Sequence, residues 1–168
     1  MKTLTVILTC AALSGLTSLH AAVLSAKDEA FIKKAAIGGM AEVKLGEIAK
    51  EKAKQQGVKE FGSMMADDHG KANAELKSLC ESKQVKVPAD HDQKHQSKIE
   101  HLQKLSDADF DKAYVDEMVA DHKKDVAEFE EASKSAKDPE VKAFAEKTLP
   151  TLRAHLDRVL NLQKETAK

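Results

Sequence analysis

The sequence predicts an all-α protein: a single four-helix bundle made of two helical hairpins, with a crossover that carries a short extra helix. Three observations predict it. The composition suits helices, with 33% charged residues, 4% aromatics, no Trp and three Pro in 168 residues, and is poor in strand formers. Four long segments repeat apolar residues every three or four positions. The segments fall in two closely spaced pairs with a long stretch between the pairs, as two hairpins and a crossover require.

The elements follow in chain order. Residues 1–21 read as a secretory signal peptide. Lys2 supplies the positive start, Leu4 to Leu19 are uncharged and largely apolar, and Ala21-Ala22 offer small residues for cleavage. Leu19 stands three before that cut, where a small residue is usual, so an uncleaved N-terminal anchor is the alternative. Cys10 follows too short an apolar run to be a lipoprotein cysteine. A single domain over 22–168 remains. It keeps one cysteine, Cys80, which either pairs between chains or serves as a small apolar residue near a helix end.

The first helix opens at Ser25, with Asp28 three residues later as in a capping box. Phe31, Ala35, Gly38, Leu45 and Ala49 share its inward face, with Ile32, Met40 and Val43 alongside, and Gln56-Gly57 ends it, with glycine suited to the left-handed position past a helix. The second helix spans about Val58 to Glu81 on Phe61, Met65, Ala72, Leu76 and Leu79. Residues 83–106 form the crossover: a loop with Pro88, then a short helix on Ile99, Leu102 and Leu105. The third helix opens at Ser106 or Asp107, runs on Phe110, Tyr114, Met118, Val126 and Phe129, and ends near Ser135. Asp138-Pro139-Glu140 caps the fourth, which carries Val141, Phe144, Leu152, Leu156 and Val159. Pro150 inside it predicts a kink that frees the carbonyl of Glu146. The two hairpins look loosely alike.

Formal net charge is -1. No basic stripe with interleaved aromatics is present, which argues against nucleic acid as a partner. No segment after the signal is apolar for long enough to span a membrane. The chain has no nucleophile triad, phosphate loop or thiol pair.

Each long helix places one metal-capable residue in its own apolar seam. Glu42 lies eleven residues, about three turns, after Phe31. His69 lies four after Met65, His122 four after Met118, and His155 three after Leu152. Counted from the two hairpin turns at a rise of about 1.5 Å per residue, the four stand roughly 18–27 Å along their helices, so they meet near one level. Two readings stay open. Imidazoles and a carboxylate at one level suit a single metal ion or a small ligand; they also suit a hydrogen-bonded polar layer that fixes bundle register. Asp68 and Asp121 each precede a seam histidine and are candidates to orient one. Gly38-Gly39, Gly46 and Gly62 either open a cavity near Glu42 or permit close helix contact. His91 and His95 sit by the crossover loop and read as solvated, and Met64-Met65 reads as core rather than a copper site.

The runs FIKKAAIGGMAEVKLGEIAKEKA, VKEFGSMMADDHGKANAEL, FDKAYVDEMVADHKKDVAEFE and VKAFAEKTLPTLRAHLDRVLNL, taken in order, resemble the bacterial family called domain of unknown function 4142. The likeness covers about residues 26–163. It implies an exported, ferritin-like four-helix bundle of the kind often described as an outer-membrane protein, with its recurrent polar positions on Glu42, His69, His122 and His155. It implies no substrate. Di-iron bundles carry Glu-x-x-His on two helices. Here Ala66 and Leu152 stand three before His69 and His155, so one zinc, iron, manganese or copper ion fits better than a carboxylate-bridged pair. The functional readings are a periplasmic metal-binding bundle, a non-enzymatic envelope protein whose buried layer only specifies packing while its surface binds an envelope partner, and a bundle that loosens when its imidazoles are charged.

Overall fold

The structure is a computed structural model and describes residues 24–87 and 89–166. The signal-like residues 1–21, with Cys10, and Pro88 lie outside the described residues. Among the described residues five helices follow one another: α1 (Ala26–Lys52), α2 (Gln56–Ser82), α3 (Gln93–Lys104), α4 (Asp107–Ser135) and α5 (Pro139–Thr166). The four long helices form the predicted bundle, and α3 is the short helix of the crossover. Among the described residues, no helix is long and apolar enough to cross a membrane.

Two aspartates fix how the hairpins meet. Asp28, at the start of α1, accepts from the backbone N–H groups of Lys137 and Asp138 in the α4–α5 turn, at 3.1 and 3.0 Å. Asp111, at the start of α4, accepts from those of Lys54 and Gln55 in the α1–α2 turn, at 3.0 and 2.7 Å. Each hairpin therefore clamps the other's turn, which sets α1 antiparallel to α4 and makes the crossover run the length of the bundle. Ser25 does cap α1, through the N–H of Asp28. The expected return contact from Asp28 is absent because its carboxylate serves the distant turn. The Asp111 acceptor is buried and its bonds are part-buried, and N–H donors robbed of such an acceptor cost up to about 1–3 kcal/mol. Asp111→Ala should destabilise the fold by about that much in chemical denaturation, whereas a loss below about 0.5 kcal/mol would show the clamp to be idle.

These contacts repeat at a constant step. Asp28 and Asp111 are 83 residues apart, as are Lys54 and Lys137, and Gln55 and Asp138. The same step relates buried core residues: Ile32 to Val115, Val58 to Val141, Phe61 to Phe144 and Leu79 to Leu162. The hairpins are thus two versions of one unit about an approximate twofold axis. That axis passes mid-helix, near residue 41 of α1 and 124 of α4 on this register.

One local expectation changes. Gly57 is not the left-handed stop of α1: α1 ends at Lys52, and Gly57 lies in the first turn of α2. Its small size matters there, since a Cβ would stand 2.9 Å from Leu162 Cδ2. The left-handed residue is instead Gln84, with φ 56°, after α2. Val85 N–H donates to Cys80 O and Gln84 N–H to Glu81 O, a Schellman closure. In α5, the helix runs unbroken through Pro150.

The core has an upper and a lower half. Leu45, Phe61, Met65, Phe110, Tyr114 and Met118 fill the half near the α1–α2 turn, and α3 covers it with Ile99 and Leu102. Ile32, Leu76, Cys80, Phe129, Phe144 and Leu152 fill the other half. In this lower half the stripe of α1 is turned by one residue: Ile32, Ala36 and Gly39 are buried, while Phe31, Ala35 and Gly38 are half-buried. They face a cleft of about 530 Å³.

Candidate metal centre

Between the two apolar halves lies a layer of buried polar side chains, one from each long helix. Glu42, His69, His122 and His155 are 5, 6, 0 and 1% exposed. The three imidazoles face one another, with ring centroids 5.3–5.7 Å apart. One nitrogen from each ring lies within 4.8 Å of one from each of the other two. Phe61 of α2 packs under them, 6.4 Å from the His122 ring and 6.3 Å from that of His155.

Each ring uses one nitrogen toward the protein. His122 Nδ1 stands 3.0 Å from the carbonyl of Met118, one turn back on its own helix. His155 Nε2 stands 3.2 Å from Asp68 Oδ2. His69 Nδ1 stands 3.0 Å from Glu42 Oε2. A carbonyl oxygen and an ionised carboxylate only accept, so with Asp68 and Glu42 ionised each of these contacts draws the ring proton outward and leaves a lone pair on the other nitrogen. Those other nitrogens, His69 Nε2, His122 Nε2 and His155 Nδ1, are buried with no hydrogen-bond partner, as is Glu42 Oε1. Four orphaned polar atoms in one layer is a poor way to fix register, because each forfeits about 1–3 kcal/mol.

Electrostatics keep the rings neutral. Burial, then the neighbouring imidazoles, hold His69 well below its ordinary value, burial and His155 bring His122 down to about 4, and burial lowers His155. Burial pushes Glu42 well up, and the neighbouring acids Asp125 and Asp121 add to it. Asp125 is itself pushed up to about 6, chiefly by burial.

Stability should follow these shifts. Unfolded imidazoles ionise near 6.5, so between about 6.5 and about 4 the unfolded chain binds protons that the folded chain refuses. The triad's contribution is full above 6.5 and is lost as pH falls toward 4. Asp125 runs the other way: its folded value exceeds the unfolded 3.8, so its contribution is present below about 4 and lost as pH rises through about 6. Asp125→Asn removes the second trend. Relative to wild type it should gain stability between pH 4 and pH 8 in denaturant titrations; a constant difference across that range contradicts the raised Asp125 carboxyl.

Of the candidate orienting aspartates, Asp68 reaches His155 on α5 rather than its neighbour His69. Asp121 instead holds Lys98 of α3 at 2.7 Å, and Glu117 pairs with the same lysine. Met65 is fully buried core, as expected. Cys80 is buried too, its thiol pushed up by that burial. His95 is only 16% exposed, bound to Asp92 and set at the rim of the cleft rather than fully solvated. The residue that sequence reading passed over is Asp125. Its signal was the 83-residue step, which carries Glu42 onto it.

The family model described as "Domain of unknown function (DUF4142)" matches residues 15–162, and the chain belongs to that family. No curated protein matches it. Two solved structures are similar. The DUF305 fragment from Deinococcus radiodurans is 12% identical with a TM-score of 0.74, over 84% of this chain and 98% of that one. The protein titled "CopM in the Cu(II)-bound form" is 17% identical with a TM-score of 0.70, over 82% and 96%. At these identities both likenesses establish the shared helical fold.

Proposed function

We propose that this member of the family binds one transition-metal ion of the copper or zinc class, with His69 Nε2, His122 Nε2 and His155 Nδ1 as ligands and a fourth position open to water or a small anion. The observation that carries this reading is the pairing within each ring: the outer nitrogen is engaged by a protein acceptor and the inner one is buried without a partner. That is how metal-binding histidines are held, with the second nitrogen fixing tautomer and ring direction. Neutral imidazoles suit copper, zinc, iron and nickel, and affinity generally peaks at copper along the series. Glu42, expected as a fourth ligand, is assigned instead to orienting His69, and Asp68 to orienting His155. The three nitrogens need to draw in, since nitrogens 2.0–2.1 Å from a tetrahedral ion stand roughly 3.3 Å apart.

Cu²⁺ is the first ion to try, because a bundle of the same fold has been solved with Cu(II) bound. Calorimetric titration of the untagged chain with Cu²⁺ and Zn²⁺ should give one ion per chain and a raised melting temperature. No uptake of either ion would sink the reading and leave a packing layer in its place. We place this binding outside the cytoplasm on the strength of the signal-like residues 1–21. A mature N-terminus at Ala22 in the exported fraction would support that, and full-length protein confined to the cytoplasm would refute it.

A further inference from the structure

The internal twofold separates two kinds of residue in the polar layer. The 83-residue step carries one acid onto another, Glu42 onto Asp125. It does not carry histidine onto histidine: the counterparts of His69, His122 and His155 are Leu152, Gly39 and Ala72. All three counterparts line the cleft. The cleft is therefore the twofold image of the imidazole cluster, with Gly39 and Ala72 where His122 and His155 stand on the other side and the Asn73 side chain against Gly39. Glu42 and Asp125 lie between the two, and both line the inner end of the cleft.

Among the described residues no lysine or arginine pairs with Glu42 or Asp125. Glu42 is 5% exposed, and its Oε1 has no hydrogen-bond partner, with His122 Nδ1 3.8 Å away. Nearby lysines are engaged elsewhere: Lys98 with Asp121 and Glu117, and Lys34 and Lys124 with Glu128. A buried carboxylate oxygen without a partner, beside a second carboxyl that lines the same cleft, is offset by a cation. The cleft, far larger than one ion needs, supplies water to complete a shell of oxygens.

We propose that Glu42 and Asp125 form a second cation site, built of oxygen and separate from the three nitrogens, which takes a hard divalent ion of the manganese or calcium class through the cleft between α1 and α4. Glu42 then touches both sites, with Oε2 on the ring of His69 and Oε1 on the second ion. The inference concerns a different donor set from the imidazole site and stands or falls without it.

Mn²⁺ is the probe, followed by loss of the free-ion electron paramagnetic resonance signal. The wild type and His122→Ala/His155→Ala should each bind one Mn²⁺ per chain. Asp125→Asn should bind it at least about tenfold more weakly, the effect expected of losing one of two charged oxygen ligands, with its helical melting transition intact by circular dichroism. Asp125 is half-buried, and the amide replaces it without added volume. Absence of Mn²⁺ binding in the wild type, equal affinity in a folded Asp125→Asn, or loss of Mn²⁺ in the double histidine variant would each overturn the proposal. Failure of the imidazole site reads out separately, as no Cu²⁺ or Zn²⁺ uptake.

Discussion

Replacing His69 and His122 together with alanine should abolish metal binding. Four-ligand structural zinc sites bind with about 10–16 kcal/mol, roughly 3 kcal/mol per ligand. Loss of two of three nitrogens therefore costs about 6 kcal/mol, or about four orders of magnitude in affinity. The orienting residues should cost less: Glu42→Gln and Asp68→Asn leave every inner nitrogen in place and should weaken binding about 10–100-fold. The metal-free stabilities separate this account from a packing layer. Four buried polar atoms have no partner in this layer. Leucine at all three histidine positions should therefore hold or raise the melting temperature without metal, while losing the metal-dependent rise. A triple leucine variant that melts well below the wild type in chelator would mean that the imidazoles stabilise the fold by themselves.

Gly62→Val should be the most damaging single change outside the polar layer. A Cβ at Gly62 would stand 2.8 Å from both the Gly46 carbonyl oxygen and Ala49 Cβ, and 2.9 Å from the Lys50 nitrogen. A Cβ at Gly46 would meet the Gly62 carbonyl oxygen at 2.6 Å. Most of these obstacles are backbone, which cannot swing aside as a long side chain can. Helices α1 and α2 would have to separate, and overpacking of this kind costs about 1–3 kcal/mol or more. A branched side chain adds further atoms at the same crossing, so the cost should reach the upper end of that range. Gly38→Ala is the control, because a Cβ there meets nothing within 4 Å. A Gly62→Val protein as stable as Gly38→Ala would contradict the close crossing.

Residues that act through their own helix were legible in the sequence. Period alone put Glu42, His69, His122 and His155 in their seams, and counting from the turns put them at one level. Both follow from the pitch and rise of a helix. Residues that act across the bundle were not. Asp28 looked like a local cap, because its spacing from Ser25 fits one, yet it serves a turn more than a hundred residues away. Asp68 was read with His69, its neighbour in sequence, but neighbours on a helix point about 100° apart, and Asp68 meets His155 instead. Of the two glycine readings, both hold in different places: Gly46 and Gly62 permit close contact, Gly39 makes room for the Asn73 side chain, and Gly38 lines the cleft. Asp125 escaped notice because it is flanked by Lys124 and Val126 on what reads as the edge of a solvated face. Only its relation to Glu42 through the internal repeat marks it.

The central claim is that the inward nitrogens hold a metal, and the most direct test is elemental mass spectrometry of the mature protein, purified without a histidine tag, beside the His69→Ala/His122→Ala variant. The account predicts one equivalent of copper or zinc in the wild type, present on isolation or after incubation with the salts and dialysis, and none in the variant. A wild type that retains no metal after such loading, or a variant that retains as much, would contradict it.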